Sequence, residues 1–265
     1  MIIGVRAHDY GKMSPAALFD AISGDGWKTV QLAFPKAIEG IDSFDDVTQE
    51  IVSETKSALI SSNLSVAVLG VYIEPSFIDE SKRKEQIRMF LNMLPHAKTL
   101  EAGCVGTETT TRDENSDIRA LYRSLEEILP EAERLAVNIG IEPVHRHTLN
   151  TPEATRQMLS DFPSPRLKII FDPLNLLTPD TIDSQIDLWK RSIDCFGDHI
   201  IAIHMKGASP DLNNGGMLAD APFESSVLNH EALFPLIKSI NAPILREGAN
   251  PAKAATDIAF IKKYL

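Results

Sequence analysis

The chain has only two cysteines in 265 residues, Cys104 and Cys195. They are too far apart for a CxxC redox or zinc motif and too few for a disulfide scaffold, so two reduced thiols in a cytoplasmic setting are expected. Positive charge is also scarce. Twenty-six Lys and Arg face 37 Asp and Glu, a net charge of -11, and no basic run could track a phosphate backbone, which argues against nucleic acid as a partner. No apolar stretch approaches the roughly 18 residues of a membrane span, and the opening MIIGVRAHDYG lacks a basic segment followed by a long apolar one. Neither a membrane nor a leader peptide is expected.

What the sequence does have is a recurring unit. Short apolar, β-branched runs fall at 2–7, 29–34, 65–72, 102–107, 139–144, 167–171, 200–204 and 243–246, with helical patterns between them. The clearest helical stripe is Ile118, Leu121, Leu125, Ile128, Ala132 and Leu135, where Pro130 predicts a kink. Ser14-Pro15, Thr151-Pro152 and Asn250-Pro251 read as capped helix starts. Eight strand and helix units without a Pro/Gly/Ser-rich linker predict an α/β fold, a single (β/α)8 TIM barrel over residues 1–265. A doubly wound open sheet needs no eighth strand and often carries a Gly-rich phosphate loop after the first, which GVRAHDYG is not.

In such a barrel the chemistry sits where the strands end at their C-terminal mouth. Four consecutive strands, the fifth to the eighth, end there in metal-competent side chains: Glu142 in IGIEPVHRH, Asp172 in LKIIFDPLN, His204 in IIAIHMKG and Glu247 in APILREG. Any one of them alone could cap a helix or pair with a lysine. Together, three carboxylates and an imidazole make a hard O/N ligand set for one divalent ion, with Mn2+ the first expectation and Mg2+, Co2+ or Zn2+ the alternatives.

These motifs resemble the xylose isomerase-like barrel superfamily of sugar-phosphate isomerases and epimerases, in architecture over nearly the whole chain and in specific motifs over 139–250. The resemblance implies that Glu142, Asp172, His204 and Glu247 hold one catalytic metal and that Glu142 and Glu247 also serve as the acid/base pair. The implied activity is a sugar isomerase or epimerase working through a metal-stabilised enediolate on a small-molecule ketose or related polyol-ketone, in a homodimer or homotetramer. A dehydratase acting on a keto-inositol or dehydroshikimate-like substrate is the alternative. A phosphodiesterase of the endonuclease IV type would need further metals and more histidines than the seven present, and a non-catalytic sugar-binding barrel is the remaining reading. The chain departs from the ketose 3-epimerases at two places. Asn175 stands where they carry His three residues after the metal Asp, and Met205 to Pro210 holds no Arg after the metal His.

Further residues at strand ends are candidates for substrate contact: His8 and Arg6 on the first strand, Glu108 after the fourth, His145 and Arg146 after the fifth, Asn175 after the sixth and Lys206 after the seventh. His147 is a weaker candidate. Each competes with a plainer role: loop solvation for His145, Arg146, Glu108 and Lys206, a backbone-bonding turn for Asn175, an ion pair for Arg6. Trp27, Phe34 and Trp189 read as packing residues. In the long segment 207–229, Gly215-Gly216 could cradle a phosphate or belong to a lid, and an unphosphorylated substrate is expected.

Overall fold

Side chains alternate along a strand, so each strand of a closed sheet presents one face to the barrel interior and the other to the surrounding helices. The computed structural model describes residues 1–211 and 217–265. In it the strands are β1 (Ile3–Arg6), β2 (Thr29–Leu32), β3 (Ser65–Gly70), β4 (Cys104–Glu108), β5 (Ile139–Glu142), β6 (Leu167–Phe171), β7 (Ile200–Met205), β8 (Gly207–Asp211), β9 (Met217–Ala221) and β10 (Ile244–Arg246). Eight of them close a parallel barrel in the order β1-β10-β7-β6-β5-β4-β3-β2, with β2 pairing back to β1. This is the (β/α)8 architecture read from the sequence, and β10 is its eighth strand.

The helices lie between the strands: α1 (Pro15–Gly24), α2 (Phe34–Ala37), α3 (Gln49–Ser61), α4 (Glu80–Leu100), α5 (Ile118–Leu135), α6 (Pro152–Asp161), α7 (Gln185–Phe196), α8 (His230–Ile237) and α9 (Ala254–Tyr264). Helix α5 buries the expected stripe from Leu121 to Leu135 and continues through Pro130 as one element, but Ile118 at its first turn is exposed. Thr151 caps α6 through the Ala154 N–H, whereas the Ser14 side chain makes no cap bond. Asn250 caps a 3-10 turn, Pro251–Lys253, so α9 begins after that turn rather than at Pro251. Trp27, Phe34 and Trp189 are fully buried. The two indole N–H groups are satisfied by the Tyr10 hydroxyl and the Pro173 carbonyl.

The segment after β7 departs from a plain loop. Strands β8 and β9 pair antiparallel, Gly207 opposite Ala221 through Asp211 opposite Met217, and form a hairpin attached directly to the end of β7. Gly215-Gly216, the candidate phosphate cradle, lies outside the described residues.

Two apolar layers result. The large one fills the space between strands and helices, and a small separate cluster that includes Val68, Cys104, Ile170, Ala202 and Leu245 fills the barrel itself. Ile170 takes its room from glycines. A Cβ on Gly106 would lie 2.7 Å from Ile170 Cδ1 and 2.6 Å from Val68 Cγ1, so a larger residue there overpacks the interior. We expect Gly106→Ala to lose about 1–3 kcal/mol of stability in urea unfolding. Ile170→Val, which removes the clashing methyl, should make the double variant more stable than the sum of the two single losses implies.

Candidate metal centre and active site

Strand alternation carries the inner layer up to the mouth. Two residues beyond Gly106, Gly140, Ile170, Ala202 and Leu245 come Glu108, Glu142, Asp172, His204 and Glu247. The sequence places polar groups there because each strand is apolar only as far as the floor of the site. Glu142, Asp172, His204 and Glu247 are all buried, His204 completely.

Burying three carboxylates together is costly unless cations answer them. One ligand atom from each of Glu142, Asp172 and His204 lies within 4.8 Å of the others. Glu247 enters through the imidazole: His204 Nδ1 is 3.1 Å from Glu142 Oε2 and 3.4 Å from Glu247 Oε1. The four expected ligands are therefore brought together, with Glu247 outside the tightest trio.

Their outer oxygens are tied down. Asn175 Nδ2 donates to Glu142 Oε1, and the Leu174 and Asn175 N–H groups donate to Asp172 Oδ1. Lys206 Nζ donates to Glu247 Oε2 at 3.0 Å. That leaves Glu142 Oε2, Asp172 Oδ2 and Glu247 Oε1 as the remaining carboxylate oxygens. Asp172 Oδ2 and both ring nitrogens of His204 are buried without a hydrogen-bond partner, although Lys206 Nζ stands in ion-pair contact with Asp172 Oδ2 at 2.9 Å. Orphaned donor atoms of O and N type, converging in a buried site with their far oxygens fixed, fit a divalent cation.

The local charges follow from this packing. Burial alone would lower the His204 pKa, but Glu247 and Glu142 outweigh it and raise it to about 9. Asp172 is raised to about 6 by burial and by the neighbouring Glu142 and Glu247, against the pull of Lys206. Burial acts to raise Glu247 too, yet His204, Lys206 and Arg6 hold it well below the usual carboxylate range. Glu108 is pushed to about 7 by burial, Glu142 and Glu247.

The remaining expected residues divide. Lys206 is buried between two ligand carboxylates rather than solvated, and the turn residue Asn175 bonds a ligand as well as its own loop. Glu108 faces the same carboxylates and lies 3.6 Å from His147 Nδ1. His145 turns toward the Asn175 carbonyl, which both its backbone N–H and its Nδ1 meet. Arg146 is exposed on the wall of a 210 Å³ cavity shared with Asn175, Lys206 and Met217. His8 sits on the other side of the mouth, near Arg6 and Lys36. Arg6 forms an ion pair with Asp9 at 2.8 Å and approaches Glu247 Oε1 at 3.7 Å.

Sequence reasoning missed Asp9, Gln31 and Tyr72. Asp9 fixes Arg6 and accepts the Ala249 N–H, which ties the first strand's loop to the last. Gln31 was detectable as the one polar residue inside the apolar run VQLAF.

The family model described as the xylose isomerase-like TIM barrel matches residues 19–264. The chain belongs to this family. Among solved structures, this xylose isomerase-like barrel is similar to a D-tagatose 3-epimerase-like protein at a TM-score of 0.77 and 16% identity, covering 100% of this chain and 97% of that one. It is also similar to a xylose isomerase-like TIM barrel protein from Mycobacterium smegmatis in complex with magnesium, at 0.75 and 13%, covering 99% and 96%. The probable 3-DHS dehydratase from Bacillus anthracis aligns at 0.74 and 14%, covering 99% of each chain. At these identities the likeness is one of fold. No curated protein matches the sequence.

Ligand nitrogens must be deprotonated to bind a cation. With His204 protonated up to about pH 9, uptake of Mn2+ by the metal-free xylose isomerase-like barrel at pH 7.5 should release about one proton, and affinity should rise with pH. Calorimetry in buffers of different ionisation enthalpy measures this. Protein purified without chelator should carry close to one ion per chain, and His204→Ala should sharply lower both that ratio and the proton release.

Proposed function

We propose that the protein is a divalent-metal-dependent sugar isomerase or epimerase that moves a proton next to a carbonyl of a ketose or related polyol-ketone. One observation carries the reading: Glu142 and Glu247 approach the same imidazole from strands β5 and β10, with two barrel strands between them in the sheet. Two carboxylates converging on one point from separate strands suit attack on a single carbon from two sides.

Glu142, Asp172, His204 and Glu247 would hold the cation, and Mn2+ is the first choice for the site. When bound, it would polarise the substrate carbonyl and stabilise the negative charge that develops on oxygen. The residues of the chain do the rest. One of the two glutamates takes the carbon-bound proton through the oxygen that faces the centre, while Asn175 or Lys206 keeps its other oxygen in place. Return of a proton from the opposite glutamate inverts the centre, and return to the neighbouring carbon isomerises the sugar. Arg146, His145, His8 and Lys206 are proposed to line the path of the substrate.

Glu108 supports a second reading. A carboxyl held near pH 7 remains partly protonated at neutral pH, and a proton donor beside the base is what expulsion of a β-hydroxyl needs. A dehydratase acting on a keto-inositol or dehydroshikimate-like substrate would use Glu108 in this role.

Glu142→Gln and Glu247→Gln should each lower turnover by about 10²- to 10⁴-fold on the substrate found by screening ketoses and inososes with Mn2+, while metal content changes little. Starting from one epimer, one variant should still exchange the substrate hydrogen with solvent deuterium without inverting the centre, and the other should not exchange at all. The roles should swap from the opposite epimer. Identical exchange in both variants from both epimers refutes the two-base scheme, and loss of water from the substrate would favour the dehydratase.

A further inference from the structure

The side of the mouth away from the metal ligands carries a buried polar group that the fold leaves unsatisfied. Strand β2 lies four strands from β6 in either direction around the barrel, directly across from the strand that leads to Asp172. On it, Gln31 pairs in register with Arg6 of β1 and Val68 of β3, so its side chain shares their inner face. Gln31 has no solvent exposure, and its Oε1 has no partner. Its Nε2 meets the Tyr72 hydroxyl. In this orientation the amide oxygen is the polar atom left unpaired.

Tyr72 places that pair at the site. It follows β3 by two residues, and its ring lies over Gly70, where a Cβ would come within 2.9 Å of Tyr72 Cε2. Lys36 Nζ sits 4.6 Å from the ring centroid. Burial and the nearby Glu247, Glu142 and Glu108 raise the Tyr72 pKa well above its ordinary value, so the phenol keeps its proton. His8 Nδ1 on the neighbouring β1 loop is another buried polar atom without a partner.

A buried amide with one hand free costs the folded protein stability, and an apolar residue of the same length would fill its place on the inner face of β2 without that cost. Such a group is explained by a ligand that completes it. We propose that Gln31, positioned with Tyr72, reads a hydroxyl of the substrate across the mouth from the metal centre, so that the enzyme selects a polyhydroxylated carbon chain over its deoxy counterpart. The inference rests on the sugar reading above and deepens it. A site built to bond a hydroxyl rejects the analogue lacking it, because the protein group is then buried unpaired.

Two measurements on the full chain test this, one without any ligand. Gln31→Met keeps the length of the side chain and removes the amide. If the amide is kept for a ligand, the melting temperature of the metal-loaded variant should rise by about 2–4 °C. A fall of similar size means the amide holds the fold together, and the proposal is wrong. The second measurement is calorimetric titration of the Mn2+-loaded protein with D-fructose, D-tagatose and L-sorbose and with the 1-deoxy and 6-deoxy form of each. Wild type should favour the hydroxylated member of at least one pair by about tenfold or more, and Gln31→Met should erase that preference. Tyr72→Phe should weaken it. A preference that survives unchanged in Gln31→Met overturns the assignment. If no ketose binds while the melting temperature still rises, the sugar reading fails and Gln31 remains a ligand-directed group.

Discussion

Like charge held out of water is the constraint around which this molecule is organised. Glu142, Asp172 and Glu247 meet at one point in a mouth with little access to solvent, and carboxylates placed there repel one another strongly unless positive charge lies among them. His204 and Lys206, alternate residues of one strand and the turn that follows it, supply that charge from within, and Arg6 adds to it from β1. The outer contacts serve the same end. Asn175 and the Leu174 and Asn175 amides hold the outer oxygens of Glu142 and Asp172, and Lys206 bridges Glu247 Oε2 and Asp172 Oδ2.

The closed barrel makes this concentration possible because its register converts chain position into depth. Residues two apart on a strand lie one layer apart inside the barrel, so a floor of glycine and small aliphatic side chains is followed by a ring of polar ones. The ring has two parts. From β5 round to β10 it carries the metal-competent groups, and from β1 to β3 it carries Arg6, Gln31 and Tyr72, whose chemistry is hydrogen bonding rather than ligation. Glu108 on β4 stands at the junction, close enough to both glutamates for its own ionisation to be opposed.

Much of this was legible in the residues, because apolar runs ending in Glu, Asp, His and Glu state both a strand and the direction of its last side chain. Eight such runs predict the barrel, and four such endings predict which side chains come together at its mouth. The parts that were not legible depend on tertiary contact. Lys206 has the right parity for the mouth, but nothing local says that its ammonium turns back onto Asp172 and Glu247 instead of into solvent. The β8–β9 hairpin joins GASPD to MLADA, two short segments without a β-branched residue, so its pairing is written in backbone hydrogen bonds that composition does not announce. Asp9 acts on Ala249 across nearly the full length of the chain, a closure that only the completed ring creates. Ile118 follows the helical period yet is exposed, because it lies in the first turn, before the helix reaches the sheet.

The crowding of Ile170 against Gly106 reaches beyond packing. Ile170 lies two residues before Asp172 on the same inner face, so the plug of the barrel is also the seal beneath the charged ring. A gap opened there would adjoin the carboxylates, and water drawn into it would raise the permittivity under them. The burial and repulsion that raise the Glu108 pKa would weaken, and so would the pull of the carboxylates on positive charge. In this barrel the permittivity around the charged ring depends on what lies below it, an aliphatic side chain with no charge of its own.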